Sequence, residues 1–202
     1  MKKSVVDLSD LQEIAPFFKT KFGIFLGKII IKWLGIKKVN DIHAKHCHLR
    51  GADFTTALLH DPLMDIKYKV HNRELLDTLP EGAFITISNH PFGHIDGIML
   101  IDIFAARRSD FAVMVNGVLT KIGAMEDNFI SVQPDSKNRG ANVANVNGVR
   151  TSLERLKSGH PMGFFPAGAI SFCNQEKKRG MDLEWTLSVV RLICKGDVAA
   201  YP

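Results

Sequence analysis

The sequence contains only three cysteines, Cys47, Cys173 and Cys194, at unrelated spacings and without a C-x-x-C pair. An odd number of such cysteines argues against a disulfide framework and favours a reducing compartment. The sequence also lacks a run of about 18 apolar residues, so it predicts no transmembrane helix. After Lys2 and Lys3 the chain is polar and acidic, which is not the pattern of a signal peptide.

A G-x-S-x-G motif is absent, which argues against the nucleophile elbow of an α/β-hydrolase. Internal repeats and low-complexity tracts are absent as well. Hydrophobic residues make up 46% of the chain, enough for a sizeable packed core and too many for intrinsic disorder. At 202 residues we expect one domain, or one domain with an N-terminal appendage.

Positive charge is concentrated near the N-terminus. Residues 1–40 contain eight lysines and three acidic residues, a balance that equals the net charge of +5 of the whole chain. Within residues 15–36, lysines and glycines interrupt a largely aromatic and aliphatic sequence, and helical periodicity places Lys21, Lys28 and Lys32 on one stripe. This pattern is typical of a helix lying in the headgroup region of an anionic membrane. The alternative is a helix packed onto the domain with its lysines in water.

Four residues of metal-binding type lie close together at His43, His46, Cys47 and His48. Zinc sites normally take their ligands from two separated pairs, and no second pair of matching spacing follows. We therefore expect solvated or interfacial histidines in this segment.

From residue 65 the sequence alternates between strand and helix patterns. Strands are predicted at 65–71, 83–88, 111–115, 129–132, 162–165 and 197–201, and helices at 95–108, 119–125, 143–156 and 183–194, with a helical turn at 74–78 and a basic, polar loop at 172–182. This alternation indicates an α/β fold with a mostly parallel sheet flanked by helices. Because the sequence stops within the last predicted strand, we interpret the chain as truncated.

The central stretch is 84–97, where an apolar strand ends at His90, a Pro-Phe-Gly turn follows, and Asp96 lies in the first turn of the next helix. A histidine oriented by a carboxylate can remove a proton from a hydroxyl or an amine. Since no protein nucleophile is evident, such a pair favours direct acyl transfer to an acceptor. On these residues alone, a purely structural histidine is the commoner case.

A second strand-to-loop junction lies at 164–171 and is rich in small residues. Small side chains allow a ligand to approach the backbone closely. In a parallel sheet the loops that follow the strands share one edge, so both junctions are predicted to face one crevice. The alternative is an ordinary turn between a strand and a helix.

Together, residues 89–97 (NHPFGHIDG) and 165–171 (FPAGAIS) resemble the lysophospholipid acyltransferase superfamily, and in particular its bacterial hemolysin-like or ornithine- and glycine-lipid O-acyltransferase branch. The resemblance covers about residues 65–202 and leaves residues 1–64 as a basic, amphipathic region for membrane association. It implies an enzyme, peripheral or monotopic at the cytoplasmic face of the inner membrane. The implied reaction moves an acyl chain from acyl-carrier protein or a coenzyme A thioester to a lipid hydroxyl, without a further cofactor.

The resemblance also implies the site residues. It makes His90 the general base and Asp96 its orienting partner. The implied substrate-binding residues are Asn89, Pro91, Phe92, Gly93, Asn116, Gly117, Val118, Pro166, Ala167, Gly168, Ala169 and Ser171.

This sequence departs from the superfamily pattern at several positions. Five residues separate His90 from Asp96, as in the hemolysin-like branch, where the common form has four. The common F-P-E-G-T-R-S motif is replaced, with Ile170 at its arginine position, and Gln133 follows the 129–132 strand where phosphate-using members have an arginine. Because these two cations are missing, we expect a lyso-aminolipid acceptor more than glycerol 3-phosphate, although Lys137 and Arg139 lie close enough in sequence to substitute.

Two other functions fit parts of the sequence. A metal-dependent hydrolase would use His90, His94 and Asp96, but Pro91 occupies the position of the glutamate in H-E-x-x-H. A non-catalytic membrane-binding protein would use the N-terminal segment alone. Nucleic-acid binding is disfavoured, because the lysines alternate with apolar residues and no base-stacking platform is evident.

Overall fold

The computed structural model describes residues 4–5, 7–33, 35–116, 122–132, 139–176, 178–185 and 187–202. The helices are α1 (Leu8–Ile14), α2 (Lys21–Trp33), α3 (Ile36–His46), α4 (Gly51–Leu59), α5 (His94–Phe104), α6 (Arg139–Lys157) and α7 (Leu187–Gly196). The strands are β1 (Ile85–Ile87), β2 (Ala112–Asn116), β3 (Phe129–Val132), β4 (Met162–Phe164), β5 (Phe172–Asn174), β6 (Arg179–Met181) and β7 (Ala200–Tyr201). Short 3-10 helices cover Pro16–Lys19, Arg73–Thr78 and Gly123–Asn128.

Five strands form one parallel sheet in the order β3-β2-β4-β1-β7. In the centre, Ile85 of β1 is in register with Met162 of β4 on one side and with Ala200 of β7 on the other. The predicted α/β fold with a mostly parallel sheet is confirmed. Because β1 and β4 are parallel neighbours, the loops that follow them leave the same edge of the sheet side by side.

Apolar side chains cover both faces of the sheet, as expected for parallel strands. Phe84, Phe111 and Val113 face one cluster, which includes side chains of α3, α4 and α5. Ile85, Met162 and the neighbouring sheet residues face the second cluster, which includes side chains of α6 and α7. Since side chains alternate along a strand, the helices lie in two layers with the sheet between them.

Helices α3 and α4 belong to the same core as the sheet. Ile42 of α3 and Phe54 of α4 are both buried, at 1% exposure, and share the apolar cluster of Phe84. The division of the chain at residue 64 stays a prediction.

The strand predicted at 65–71 is wrong, although the pattern behind it is real. Ile66, Tyr68 and Val70 are half-buried and their neighbours are exposed, but within the described residues no strand pairs with this segment. Ile66 and Tyr68 pack against the core without belonging to a strand. Alternating hydrophobicity indicates that one side of a segment is buried. A segment can have one buried side without forming hydrogen bonds to a neighbouring strand.

The loop predicted at 172–182 is also wrong. β5 and β6 form an antiparallel hairpin in which Phe172 is in register with Met181. Both strands lie at the surface, so they lack the apolar alternation by which strands are recognised in sequence.

Helix boundaries differ from the predictions by a few residues. α5 ends at Phe104 and not at 108, and α7 begins at Leu187 and not at 183. The predicted helix at 119–125 appears as the 3-10 helix Gly123–Asn128, and residues 119–121 lie outside the described part of the chain.

The N-terminal amphipathic segment is divided into two helices. Thr20 separates the 3-10 helix Pro16–Lys19 from α2, and its side-chain oxygen accepts a hydrogen bond of 3.0 Å from the amide of Gly23, which makes it the N-cap of α2. Gly23 and Gly27 form the buried side of α2. A Cβ atom on Gly23 would lie 2.1 Å from the carbonyl oxygen of Phe17, so close packing requires glycine there.

The opposite side of α2 is an exposed apolar face. It consists of Phe22, Phe25, Ile29 and Trp33, whose exposures lie between 45 and 84%. The lysine stripe predicted from the sequence is exposed as well and borders this face. Within the described residues, no helix combines the length and hydrophobicity needed to cross a bilayer.

Candidate active site

The loops that follow β1 and β4 are joined by main-chain hydrogen bonds. The amide of Ser88 donates to the carbonyl of Phe164 over 3.1 Å, and the amide of Ser171 donates to the carbonyl of His90 over 2.9 Å. The two junctions singled out in the sequence therefore lie side by side, as expected from their positions in a parallel sheet.

His90 and Asp96 are brought together by the turn between β1 and α5. Nδ1 of His90 lies 3.1 Å from Oδ2 of Asp96, and the same oxygen accepts a hydrogen bond of 2.9 Å from the amide of Phe92. The His90 contact has an ion-pair distance but is not a well-aligned hydrogen bond. Contacts of this kind often tighten only when substrate binds.

Glycine is required at the bend of this turn. Gly93 has φ +65° and ψ −127°, a conformation that side chains with a Cβ rarely adopt. It immediately precedes α5, which places Asp96 in the first turn of that helix, where the helix dipole favours a carboxylate.

Burial decides the protonation state of His90. Its ring stacks on Phe165 with centroids 4.2 Å apart, and its side chain is 19% exposed. Burial lowers the pKa of His90 below its ordinary value, while the charge and hydrogen-bonding capacity of Asp96 oppose that shift. The imidazole is therefore neutral at neutral pH. No described residue forms a hydrogen bond with Nε2, so this nitrogen can accept a proton.

An apolar cavity of about 370 Å³ lies beside the pair. Asp96 and Asn89 line it, together with mainly apolar side chains that include Val70, Met99 and Phe165. Such a lining suits a hydrocarbon chain next to a polar reacting group.

Tyr68 forms part of the cavity wall and is held by a buried carboxylate. Its hydroxyl donates to Asp102, which also accepts from the hydroxyls of Thr55 (3.2 Å) and Thr56. Burial, with added effect from Asp102, raises the pKa of Tyr68 well above its ordinary value, so the phenol stays protonated. Sequence reasoning missed this cluster, although an aspartate in the otherwise apolar helix α5 was a signal.

The other predicted binding residues are distributed around this site. Asn89, Pro91 and Phe92 line the cavity, and Phe92 is 71% exposed. Pro166 and Ala167 are buried and form the turn of the second loop, which is closed by a hydrogen bond of 2.9 Å from the amide of Gly168 to the carbonyl of Phe165. Gly168, with φ +67°, and Ala169 follow this turn.

Three further predicted positions lie at the end of β2 or beyond it. Asn116 ends β2 at the same edge of the sheet, in register with Val132 of β3. Gly117 and Val118 lie outside the described part of the chain.

Sequence reasoning also missed Asp182, which accepts a hydrogen bond from the hydroxyl of Ser171. This contact depends on the β5–β6 hairpin, which brings residues on either side of it together. Because the hairpin itself was not predicted, no signal in the sequence connected the two residues.

Two histidines of the segment 43–48 contact other residues of the fold. His43 is buried, at 3% exposure, with its ring centroid 5.7 Å from that of Phe54, so the expectation of a solvated or interfacial histidine is wrong at this position. Nε2 of His46 lies 2.8 Å from the carboxylate of Asp61. Among the described residues, no group of three or more histidine, cysteine or acidic side chains is arranged to hold a metal.

A family model described as "Acyltransferase" matches residues 11–194, which is most of the chain. The chain belongs to this acyltransferase family. A search of curated proteins gave no match. The family match begins well before residue 65, so helices α2, α3 and α4 are part of the region that this acyltransferase shares with its family.

Membership of the family confirms that the protein is an enzyme that transfers acyl groups. The histidine and the carboxylate lie at the edge of the sheet, with the apolar cavity beside them.

Proposed function

We propose that this acyltransferase transfers a fatty acyl chain from acyl-carrier protein or a coenzyme A thioester to a hydroxyl group of a lyso-lipid, with His90 as general base. The observation that carries the proposal is the position of His90, whose Nδ1 lies 3.1 Å from Asp96 beside an apolar cavity. A base next to a site for a hydrocarbon chain is the arrangement expected for acylation of a lipid hydroxyl.

In the proposed mechanism, Nε2 of His90 removes the proton from the acceptor hydroxyl as its oxygen attacks the thioester carbonyl. Asp96 stabilises the imidazolium that forms and keeps the ring oriented through Nδ1. The tetrahedral intermediate then expels the thiolate, which takes the proton back from the imidazolium. The products are an ester and a free thiol, and His90 is neutral again.

The apolar cavity is the proposed site of the acyl chain. Its mainly apolar wall adjoins Asp96 and Asn89, so an acyl chain can lie there with its carboxyl end near the reacting groups. Burial of each methylene group contributes about 0.8 kcal/mol, enough for the enzyme to discriminate among chain lengths.

We favour an acceptor without a phosphomonoester, such as a lyso-aminolipid, and the hemolysin-like branch of the family. Ile170, at the arginine position of the second motif, is 53% exposed and offers no charge to a phosphate. Among the described residues that line the cavity, Lys69 alone carries a positive charge, and a lysine does not give the bidentate geometry of arginine. The spacing of five residues between His90 and Asp96 is also that of the hemolysin-like branch.

We place the enzyme at the cytoplasmic face of the inner membrane, as a peripheral or monotopic protein. The exposed apolar face of α2 and the lysines beside it support this proposal. An aromatic and aliphatic face bordered by lysines binds anionic bilayers through both hydrophobic burial and charge. This arrangement would hold the enzyme where a bilayer-resident acceptor is found.

The test is an acyl-transfer assay of His90→Ala with acyl-carrier-protein and coenzyme A thioesters as donors. The acceptors are a lyso-aminolipid, a lysophospholipid and glycerol 3-phosphate. We expect loss of at least about 100-fold in kcat with every active acceptor, because general base catalysis contributes roughly 10²–10⁴-fold. Thermal unfolding should be nearly unchanged, and full activity in the variant would contradict the mechanism.

His94→Ala is the matched control, since His94 is exposed at the start of α5. It should retain most of the activity. A metal-dependent hydrolase would instead lose activity in both variants and would release free acid without acylating an acceptor. A wild-type protein that binds vesicles but transfers no acyl group to any acceptor would support a purely membrane-binding role.

A further inference from the structure

A second carboxylate, that of Asp182, is connected to the loop of His90. The hydroxyl of Ser171 donates to Oδ1 of Asp182, and the amide of the same serine donates to the carbonyl of His90 over 2.9 Å. The β5–β6 hairpin makes this link possible, because its register places Ser171 and Asp182 just beyond the pair of Phe172 and Met181.

The other oxygen of Asp182 is buried in an unusual way. Oδ2 is inaccessible to solvent and has no hydrogen-bond partner within the described part of the chain. Leaving a charged acceptor buried and unpartnered costs free energy, and such groups in native structures call for a functional explanation. Closure of the hairpin explains the bond between Ser171 and Oδ1, but it does not explain why Oδ2 is buried.

Asp182 also acts on His90 through its charge. The charges of three neighbouring titratable groups affect the pKa of His90: those of Asp96 and His94 on α5 and, with the smallest effect, that of Asp182 at the end of the hairpin. The two carboxylates favour the protonated ring, whereas His94 and burial against Phe165 oppose it. The negative charges of Asp96 and Asp182 therefore both favour any step that places a proton on His90.

We propose that Asp182 is a positioning residue for His90, which fixes the main chain of the catalytic loop through Ser171 and stabilises the imidazolium formed during the reaction. This inference rests on the proposed role of His90 as general base. Asp96 meets the ring at Nδ1, and Asp182 supplies a second negative charge from the hairpin. Burial makes the imidazole a weaker base, and the two carboxylates together offset part of that effect.

The experiment separates the charge of Asp182 from its hydrogen bond. Asp182→Asn keeps an oxygen for the Ser171 hydroxyl and removes the charge, whereas Ser171→Ala keeps the charge and removes the hydroxyl. For each variant, the titration of the His90 ring is followed by NMR without substrate, with His90→Asn used to assign the signal. The pH profile of kcat and the value of KM are measured in parallel.

We expect the pKa of His90 to fall in Asp182→Asn and to stay at its wild-type value in Ser171→Ala. In Asp182→Asn, kcat should fall about tenfold with KM changed less than twofold, because the imidazolium is stabilised less. In Ser171→Ala, kcat should fall by a smaller factor, and Ser171→Thr, which keeps the hydroxyl, should restore it.

An unchanged His90 titration in a folded Asp182→Asn protein would overturn the proposal. If that variant does not fold, Asp182→Ser, which also removes the charge, replaces it in the same titration. The NMR readout needs no acyl transfer, so it remains decisive even if the proposed acyl-transfer function itself fails. A wild-type protein that transfers no acyl group would contradict the proposed function while the effect of Asp182 on His90 still stands.

Discussion

The main-chain amide of Ser171 donates a 2.9 Å hydrogen bond to the main-chain carbonyl of His90. This bond joins the loop after β4 to the loop after β1, which are neighbours because the two strands pair in parallel. His90 is therefore held by its own turn with Asp96 and by the adjacent loop. Changes in the loop of Ser171 should therefore alter acyl transfer through the position of His90.

The pH dependence of acyl transfer should reflect the buried position of His90. Burial lowers its pKa, and only the neutral ring can accept a proton, so kcat/KM should rise with pH through a midpoint below about 6.5. In Asp96→Asn, a charge that raises this pKa is lost, so the midpoint should move to still lower pH. The plateau should fall by about 100-fold or more, because the imidazolium is stabilised less.

The matched control for this prediction is Asp77→Asn, which neutralises an exposed carboxylate 3.5 Å from Arg107. It should change neither the midpoint nor the plateau. Initial rates measured between pH 5 and 9 would decide the question, and a midpoint that moves to higher pH in Asp96→Asn would contradict the assignment of the base.

Chain-length selectivity should depend on the lining of the apolar cavity. Met99 contributes to its wall, and Met99→Phe should shorten the space open to a hydrocarbon chain. Each excluded methylene removes about 0.8 kcal/mol, or roughly a fourfold change in kcat/KM. Long-chain donors should therefore lose activity more than short-chain donors, as measured with a series of acyl thioesters. Met99→Leu is nearly isosteric and should preserve the wild-type order of preference.

The predicted features that hold are those that local sequence patterns determine. Strand β3 has the predicted bounds. His90 and Asp96 lie close together because only six residues connect the end of β1 to the start of α5. The exposed hairpin was missed because its strands bury no continuous apolar side. The contacts of Ser171 with Asp182 and of Tyr68 with Asp102 join residues that are distant in the chain, and sequence spacing alone does not reveal such pairs.

Gly163 should be essential for stability because of the packing around β4. A Cβ atom there would lie 2.9 Å from Cζ of Phe111 and 3.1 Å from Oγ1 of Thr86, and both side chains are buried. Gly163→Ala should therefore lower the free energy of unfolding by about 1–3 kcal/mol, the usual range for an overpacked core. Urea denaturation followed by circular dichroism would measure the change.

Gly180 in β6 provides a comparison within another strand. Apart from Gly180 and its two chain neighbours, no atom of the described residues lies within 4 Å of the position that its Cβ would take, so Gly180→Ala should change stability by less than about 0.5 kcal/mol. If Gly163→Ala and Gly180→Ala lowered the free energy of unfolding equally, the close packing around Gly163 would not explain its effect, and the prediction would be wrong.

Trp33 offers a direct optical test of membrane binding. The sequence contains two tryptophans, so Trp185→Phe leaves Trp33, which is 84% exposed on α2, as the sole indole. Its emission should shift to shorter wavelength when anionic vesicles are added, because the indole moves from water into the headgroup region. The shift should be smaller with zwitterionic vesicles and should weaken at high salt, where charge attraction is screened.

The lysines beside Trp33 should contribute to this binding through charge. A lysine near an anionic surface contributes about 1 kcal/mol, so Lys28→Glu should weaken vesicle affinity by roughly tenfold. Lys157→Glu makes the same charge change at an exposed position of α6 and should have little effect. Equal weakening by both substitutions would mean that net charge, and not the face of α2, determines binding, and an emission spectrum unchanged by anionic vesicles would contradict the proposed membrane contact.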